Sequence, residues 1–114
     1  MSELTDIRLA ISSDGTGTAN GDGRKVVAVS GEIDLTTCTE LRSAITGVLD
    51  EGAPEVVVDV SGVAFIDATG IGVLIGVTNK ARDAGCRLTL RRPSRAVQRL
   101  VDLLNLDGAL ALED

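Results

Sequence analysis

Apolar residues along this 114-residue chain recur with the two periods that distinguish strands from helices. Residues 7–11 alternate apolar with polar or small side chains, which predicts an edge strand. Residues 26–33 and 86–91 are also rich in apolar and β-branched side chains, which predicts two further strands. The nearly unbroken valines of residues 56–60 are typical of a central strand that is covered on both faces.

Three other stretches repeat apolar residues at helical spacing. The stripe of the first consists of Leu41, Ala44, Ile45, Val48 and Leu49. Thr37 and Glu40 lie at its start with the spacing of a capping box. The second stretch covers residues 68–84. The third begins at Ser94, and its inward residues are predicted to be Val97, Leu100, Val101 and Leu104.

The element order is therefore ββαβαβα(β), with a short last strand at residues 109–112. Strands that alternate with helices predict a single α/β domain over residues 1–114. Its sheet is expected to be mixed, with four to five strands and helices packed against it. Residues 12–23 contain four glycines and predict a flexible loop between the first two strands.

Composition excludes several kinds of site. Aromatic residues are 1% of the chain, and Phe65 is the single example, so stacking platforms for single-stranded nucleic acid are absent. The chain has no His, the commonest general base and metal ligand. Cys38 and Cys86 do not have the spacing of a metal motif. We therefore expect neither a metal site nor a cofactor.

Charge and hydropathy restrict the partners. The net charge is −6 at pH 7, which argues against a nucleic-acid surface. The first residues do not resemble a secretory signal, and no apolar run approaches the ~20 residues that span a membrane. The prediction is a cytoplasmic protein that binds neither nucleic acid nor membrane.

The most informative segment is the turn that opens the second helix. There Thr69 places a small hydroxyl in the first turn, beside the carboxylate of Asp67. Free N–H groups and the helix dipole make a helix start tolerant of phosphate. The alternative is that Thr69 merely caps a backbone N–H. Gly70 and Gly72 are expected to let the helix approach another backbone closely.

Three segments resemble a known family. Residues 31–35 (Gly-Glu-Ile-Asp-Leu), 58–63 (Val-Asp-Val-Ser-Gly-Val) and 65–72 (Phe-Ile-Asp-Ala-Thr-Gly-Ile-Gly) are similar to the STAS-domain anti-sigma factor antagonists of bacteria. The resemblance implies that a partner kinase phosphorylates Thr69. It also implies a partner-binding surface that comprises Asp34, Asp67, Ala68, Gly70, Ile71 and Gly72. Two residues depart from the usual Asp-Ser-Ser-Gly turn, because Ala68 removes one hydroxyl and Thr69 replaces a Ser.

The family resemblance also implies a function. The unphosphorylated chain would bind an anti-sigma factor with Ser/Thr kinase activity and so release a sigma factor. Phosphorylation at Thr69 would switch this binding off, and a metal-dependent Ser/Thr phosphatase would restore it. Asp34 and Asp67 would shape the kinase-facing surface, although both also suit a purely structural role as caps.

Two other functions are open to the sequence. Asp59, near the end of a valine strand, resembles the phosphoacceptor of a receiver domain, with Glu32 and Asp34 as acids that hold a metal. The late strand offers only arginines where that chemistry needs Lys, so no enzymatic activity and no catalytic residue are expected. The other alternative is a STAS subunit of a lipid or anion transport system, or a stress-complex scaffold.

Overall fold

The computed structural model describes residues 9–14 and 24–113, which form one mixed sheet with three helices. The strands are β1 (Leu9–Asp14), β2 (Arg24–Ile33), β3 (Glu55–Ile66), β4 (Arg87–Arg91) and β5 (Leu112–Glu113). The helices are α1 (Cys38–Asp50), α2 (Ala68–Asp83) and α3 (Arg95–Leu103).

The strands lie in the sheet in the order in which they occur in the chain, β1-β2-β3-β4-β5. β1 pairs with β2 antiparallel, and each later neighbour pair is parallel. Every parallel connection contains a helix, because parallel neighbours need a long crossover. The predicted α/β class, mixed sheet, element order and edge position of the first strand are confirmed.

The first hairpin differs from the prediction. Residues Ser12 and Asp14 pair with Ala28 and Val26, so β1 includes three residues that the sequence places in the loop at 12–23. The rest of that predicted loop, residues 15–23, lies outside the described residues, as do residues 1–8.

β3 is longer than the valine pattern predicts, because it continues to Ile66. Its register against β2 shifts between Ala28 and Ser30 and again between Gly31 and Glu32. Each shift adds a bulged residue to one strand and interrupts the alternation of inward and outward side chains. Periodicity therefore could not identify the second half of this strand.

The core consists mainly of Val, Leu and Ile. All residues of segment 56–60 are buried, as predicted for a central strand. α1 packs against α2 and β2, α2 packs against β3 and β4, and α3 packs against β3. Both cysteines are buried free thiols, Cys38 as the first residue of α1 and Cys86 just before β4. Burial raises the pKa of the Cys86 thiol, so it remains protonated at neutral pH.

α1 begins without the predicted capping box. The Thr37 hydroxyl makes no bond to the first turn of α1. It donates instead to the carbonyl oxygen of Glu32 at 2.7 Å and accepts the N–H of Asp34 at 3.0 Å. Thr37 therefore ties the end of β2 to the turn that leads into α1.

The C-terminal region follows the prediction less closely. Ser94 caps α3, and its Oγ accepts the N–H of Val97 at 3.3 Å. Leu104 is not inward as predicted but 44% exposed, because α3 ends one residue before it. The last strand is Leu112–Glu113 instead of 109–112, because the N–H groups of residues 109 and 110 bond to Leu106 in a turn.

None of the helices in the described part of the chain combines the length and the apolar character that crossing a lipid bilayer requires.

Candidate functional site

The carboxyl ends of β2 and β3 meet at the start of α2. Ile33 and Ile66, the last residues of the two strands, pair with each other. The N–H of Asp67 donates to the carbonyl oxygen of Ile33 at 3.2 Å, and Asp67 is the single residue between β3 and α2. The structure therefore places Asp34 and Asp67 at the same end of the sheet. We call this region, residues 31–37 and 64–72, the switch end of the sheet.

Thr69 is the second residue of α2, and its side chain is exposed. The helix cap is supplied by Asp67, whose carboxylate accepts the N–H of Gly70 at 3.1 Å. Thr69 is therefore not the cap, which removes the structural alternative for its hydroxyl. At a helix start, the N–H groups of Ala68 and Thr69 have no partner within the helix.

The two glycines of the turn differ in their environments. Gly70 is buried, and an added Cβ would lie 2.5 Å from Cγ2 of Ile33 and 2.8 Å from Cγ1 of Ile66. The carbonyl oxygen of Ile33 would lie 3.1 Å from that Cβ, so the expected close approach to another backbone is confirmed at Gly70. It is wrong at Gly72, which is exposed and whose added Cβ would meet no atom within 4 Å.

The predicted partner-binding residues separate into exposed and buried groups. Ala68 and Gly72 are exposed, and Asp34 and Asp67 are half-buried. Gly70 and Ile71 are buried, and Ile71 is only 2% exposed. Direct contact with a partner is therefore open to the first four residues, whereas Gly70 and Ile71 hold the start of α2 against the core.

Asp34 organises the turn between β2 and α1. One oxygen of its carboxylate, Oδ1, accepts the N–H and the hydroxyl of Thr36 at 2.9 and 2.8 Å and the N–H of Thr37 at 3.2 Å. The structural role that the sequence left open for Asp34 is thus present. This tight turn directs Leu35 into solvent, where it is 74% exposed.

Sequence reasoning missed two apolar residues at the switch end. Leu35 follows Asp34 in the turn, and Phe65 precedes Ile66 at the end of β3 and is 48% exposed. The bulges in β3 interrupt the alternation of its side chains, so the sequence pattern does not predict which face of the sheet Phe65 occupies. The sequence did contain one signal for this residue, because Phe65 is the single aromatic residue of the chain.

The switch end is acidic in its sequence. Residues 31–37 and 64–72 contain the acids Glu32, Asp34 and Asp67 and no Lys or Arg. The next cation along the chain is Arg42, which lines the groove between α1 and α2 beside Gly72. A phosphate on Thr69 would therefore add negative charge to a region that already carries carboxylates.

Asp59 does not belong to the switch end. It lies in the middle of β3, where its Oδ1 accepts the N–H and hydroxyl of Ser61 at 3.0 and 2.7 Å and its Oδ2 lies 3.3 Å from Nη2 of Arg91. Burial raises the pKa of the Asp59 carboxyl, but the bonds from Ser61 and Arg91 outweigh burial and lower it below 3.8. Asp59 is therefore a structural carboxylate, and β3 does not end near it as receiver-like chemistry requires.

Among residues 9–14 and 24–113, no cluster of three or more His, Cys, Asp or Glu side chains has the arrangement to hold a metal ion.

These features define a class of protein, a small α/β domain that displays the Thr69 hydroxyl on a helix start at the end of its sheet. The chain matches the protein-family model described as "Mlab, STAS domain" over residues 16–113, and it belongs to the STAS domain family. The resemblance expected from three short segments is thereby confirmed.

Two similar proteins are named as anti-sigma factor antagonists. The anti-sigma-B factor antagonist of Staphylococcus epidermidis is 30% identical over 88 residues, which are 77% of this chain and 82% of that protein. An anti-sigma factor antagonist from Mycobacterium paratuberculosis has a crystal structure that matches this fold with a TM-score of 0.74 at 30% identity, covering 92% of this chain and 85% of that one.

The more distant SpoIIAA shares the fold in two states. Its unphosphorylated form matches with a TM-score of 0.70 at 19% identity, over 90% of this chain and 87% of that one. Its phosphorylated form matches with a TM-score of 0.66 at 18% identity, over 90% of each chain. At these identities the likeness concerns the fold alone.

Proposed function

We propose that this chain is an anti-sigma factor antagonist that is switched by phosphorylation of Thr69. Unphosphorylated, it binds an anti-sigma factor with Ser/Thr kinase activity, and the sigma factor held by that protein is released. Phosphorylated, it dissociates, until a metal-dependent Ser/Thr phosphatase removes the phosphate. Relatives named anti-sigma factor antagonists support the partner, and the position of Thr69 supports the switch.

The observation that carries the proposal is the exposed Thr69 hydroxyl on a helix start that Asp67 already caps. Because no structural bond occupies this hydroxyl in the described residues, a kinase can modify it without breaking the fold. The unpaired N–H groups of the first turn and the dipole of α2 make a phosphate acceptable to the folded chain. Modification therefore changes the surface more than it changes stability.

The effect on binding follows from charge and desolvation. A phosphate adds about −1.5 to −2 charge at neutral pH. A closed protein contact that accepts a neutral hydroxyl excludes the water that a dianion needs, and neighbouring carboxylates repel the added charge. The residues available for direct contact are Asp34, Asp67, Ala68 and Gly72, which lie at the same end of the sheet as Thr69.

The phosphorylation step is tested with the purified anti-sigma factor, ATP and magnesium, followed by mass spectrometry of the chain. We expect a single phosphate on Thr69. The Thr69→Ser variant should also be phosphorylated at position 69, whereas Thr69→Ala should carry no phosphate. Thr36→Ala is the matched control, because Thr36 is the neighbouring exposed hydroxyl and bonds to Asp34. Phosphate on Thr36, or unchanged incorporation in Thr69→Ala, contradicts the proposal.

The binding step is tested with variants that imitate the two states. We expect Thr69→Glu to weaken binding to the anti-sigma factor about tenfold or more, since about 1.4 kcal/mol corresponds to a factor of ten. Thr69→Ser and Thr69→Ala, which add no charge, are expected to bind within a few-fold of the unsubstituted chain. Equal affinity of Thr69→Glu and Thr69→Ala for the anti-sigma factor would contradict the proposed switch.

A further inference from the structure

Large apolar side chains are exposed at two separate places on the described surface. Leu35 is 74% exposed and Phe65 48% exposed at the switch end of the sheet. Leu103 is 72% exposed and Leu104 44% exposed where α3 ends. The first pair lies at the same end of the sheet as the proposed phosphorylation site. The second pair lies at the carboxyl end of α3.

Leu35 and Phe65 lie close to each other and to Thr69. Phe65 is one residue before Ile66, and Leu35 is two residues after Ile33, with which Ile66 pairs. Paired strands lie about 5 Å apart and consecutive Cα atoms about 3.8 Å apart, so the two Cα atoms are within roughly 17 Å. Their side chains therefore fit within the area of one protein contact.

Local structure holds both side chains in exposed positions. The bonds from Asp34 to residues 36 and 37 set the turn that carries Leu35. Phe65 is placed by the register of β3, where it pairs with Glu32. Ordered apolar side chains of this kind lose little conformational entropy when a partner covers them, and aromatic anchors contribute strongly at the centres of interfaces.

Charge indicates what kind of surface covers this pair. The switch end, which carries Leu35 and Phe65, contains three acids and no Lys or Arg in its own residues, and the whole chain has a net charge of −6. Both anionic membranes and nucleic acids are therefore repelled. The complementary occupant is a protein with an apolar pocket that Lys or Arg side chains border.

We propose that Leu35 and Phe65 are the apolar anchors by which the chain docks into such a basic-rimmed pocket on the anti-sigma factor. This inference rests on the proposed function, and it names the residues that supply affinity where Thr69 supplies control. Thr69 lies at the border of the anchored contact, so the closed complex buries its hydroxyl. A phosphate at that position would lose its hydrating water in the closed complex. The cost of this desolvation favours dissociation.

The experiment measures the affinity of single variants for the purified anti-sigma factor, without ATP, by calorimetry. We expect Leu35→Ser and Phe65→Ser each to weaken binding about tenfold or more, as anchors at the centre of an interface do. Leu103→Ser is the matched control, because it removes an equally exposed leucine from α3 and should change affinity less than about twofold. Circular dichroism and chemical denaturation confirm that each variant is folded.

The outcomes distinguish this inference from the proposed function. If Thr69→Glu weakens binding but Leu35→Ser and Phe65→Ser bind like Leu103→Ser, the anchors are wrong and the switch stands. If Leu103→Ser weakens binding as much as the other two, the docking surface is not confined to the switch end and the inference fails. If the unsubstituted chain does not bind the anti-sigma factor, both proposals fail.

Salt dependence tests the basic rim independently. Pairing between carboxylates of the switch end and cations of the partner is screened as ionic strength rises. We expect the affinity of the unsubstituted chain to fall when the salt concentration rises from about 50 mM to about 500 mM, because the screening length shortens several-fold over this range. An affinity that stays constant or rises over this range contradicts a basic pocket.

Discussion

Gly70 and Gly72 lie two positions apart on α2, yet packing constrains only the first. The space beside Gly70 is filled by Ile33 and Ile66, whereas the space beside Gly72 is open. A side chain at position 70 would push α2 away from the ends of β2 and β3. The start of the helix, and with it the orientation of Thr69, thus depends on the absence of one Cβ.

We expect Gly70→Ala to lower the free energy of unfolding by about 1–3 kcal/mol, because the added methyl group overpacks the core. Gly72→Ala should leave stability unchanged or raise it by up to about 1 kcal/mol, since Ala is the better helix former and meets nothing. Chemical denaturation of both variants measures the difference. Equal stability of the two variants would show that the α2 start yields without cost.

At the scale of elements, β3 and β4 are joined by a side-chain link as well as by their hydrogen bonds. Asp59 in β3 and Arg91 at the end of β4 are 32 positions apart in the chain but form a 3.3 Å ion pair. Ser61 orients the carboxylate from within the bulged part of β3. The link secures the turn from β4 into α3, where Arg92 adopts a positive φ of 53°.

The lowered pKa of Asp59 gives this link a pH dependence. The folded-state pKa lies below the ordinary 3.8, so the carboxylate stabilises the fold above that pH and ceases to do so as the pH falls through the folded pKa. We expect Asp59→Asn to lower the free energy of unfolding at pH 7 by about 1–2 kcal/mol, because Arg91 loses its charged partner. The deficit should shrink as the pH drops below 3.8.

Chemical denaturation of the unsubstituted chain and of Asp59→Asn, at neutral and at acidic pH, measures that deficit. Asp102→Asn is the control, because Asp102 is exposed and its carboxylate accepts a bond from the side-chain amide of Gln98, a neighbour on the same helix. It should show little deficit at either pH. A deficit in Asp59→Asn that is the same at both pH values would show that the charge is not the stabilising feature.

At the scale of the whole molecule, the proposed switch requires no change of fold. The switch end is built from strand ends and a helix start that are fixed by backbone bonds, including that between Asp67 and Ile33. Thr69 projects from this frame without forming part of it. The regulatory event is therefore a change of surface charge on a domain that already carries −6.

We expect the phosphorylated chain to retain the circular dichroism spectrum of the unphosphorylated chain and to unfold within a few degrees of it. The reason is that the phosphate adds about two negative charges at an exposed, dipole-favoured position. Scanning calorimetry of the two forms, prepared from the same batch, makes the comparison. A large loss of stability on phosphorylation would mean that the switch acts by local unfolding and not by surface charge.

Much of this protein follows from its amino-acid order alone. The order of strands and helices, the covered central valines and the start of α2 are expressed in local periodicity and turn chemistry, which act between residues a few positions apart. Thr69 could also be selected in this way, because a hydroxyl in the first turn of a helix is a local feature. Three short segments were sufficient to recognise the family.

Long-range packing settled the remaining features. The bulges that extend β3 depend on its neighbour β2, and the pair of Asp59 with Arg91 joins residues that no sequence pattern connects. The exposure of Leu35 and Phe65, and the difference between Gly70 and Gly72, depend on which atoms the fold brings alongside them. Local order specifies the elements, whereas contacts between distant residues decide which side chains remain available at the surface.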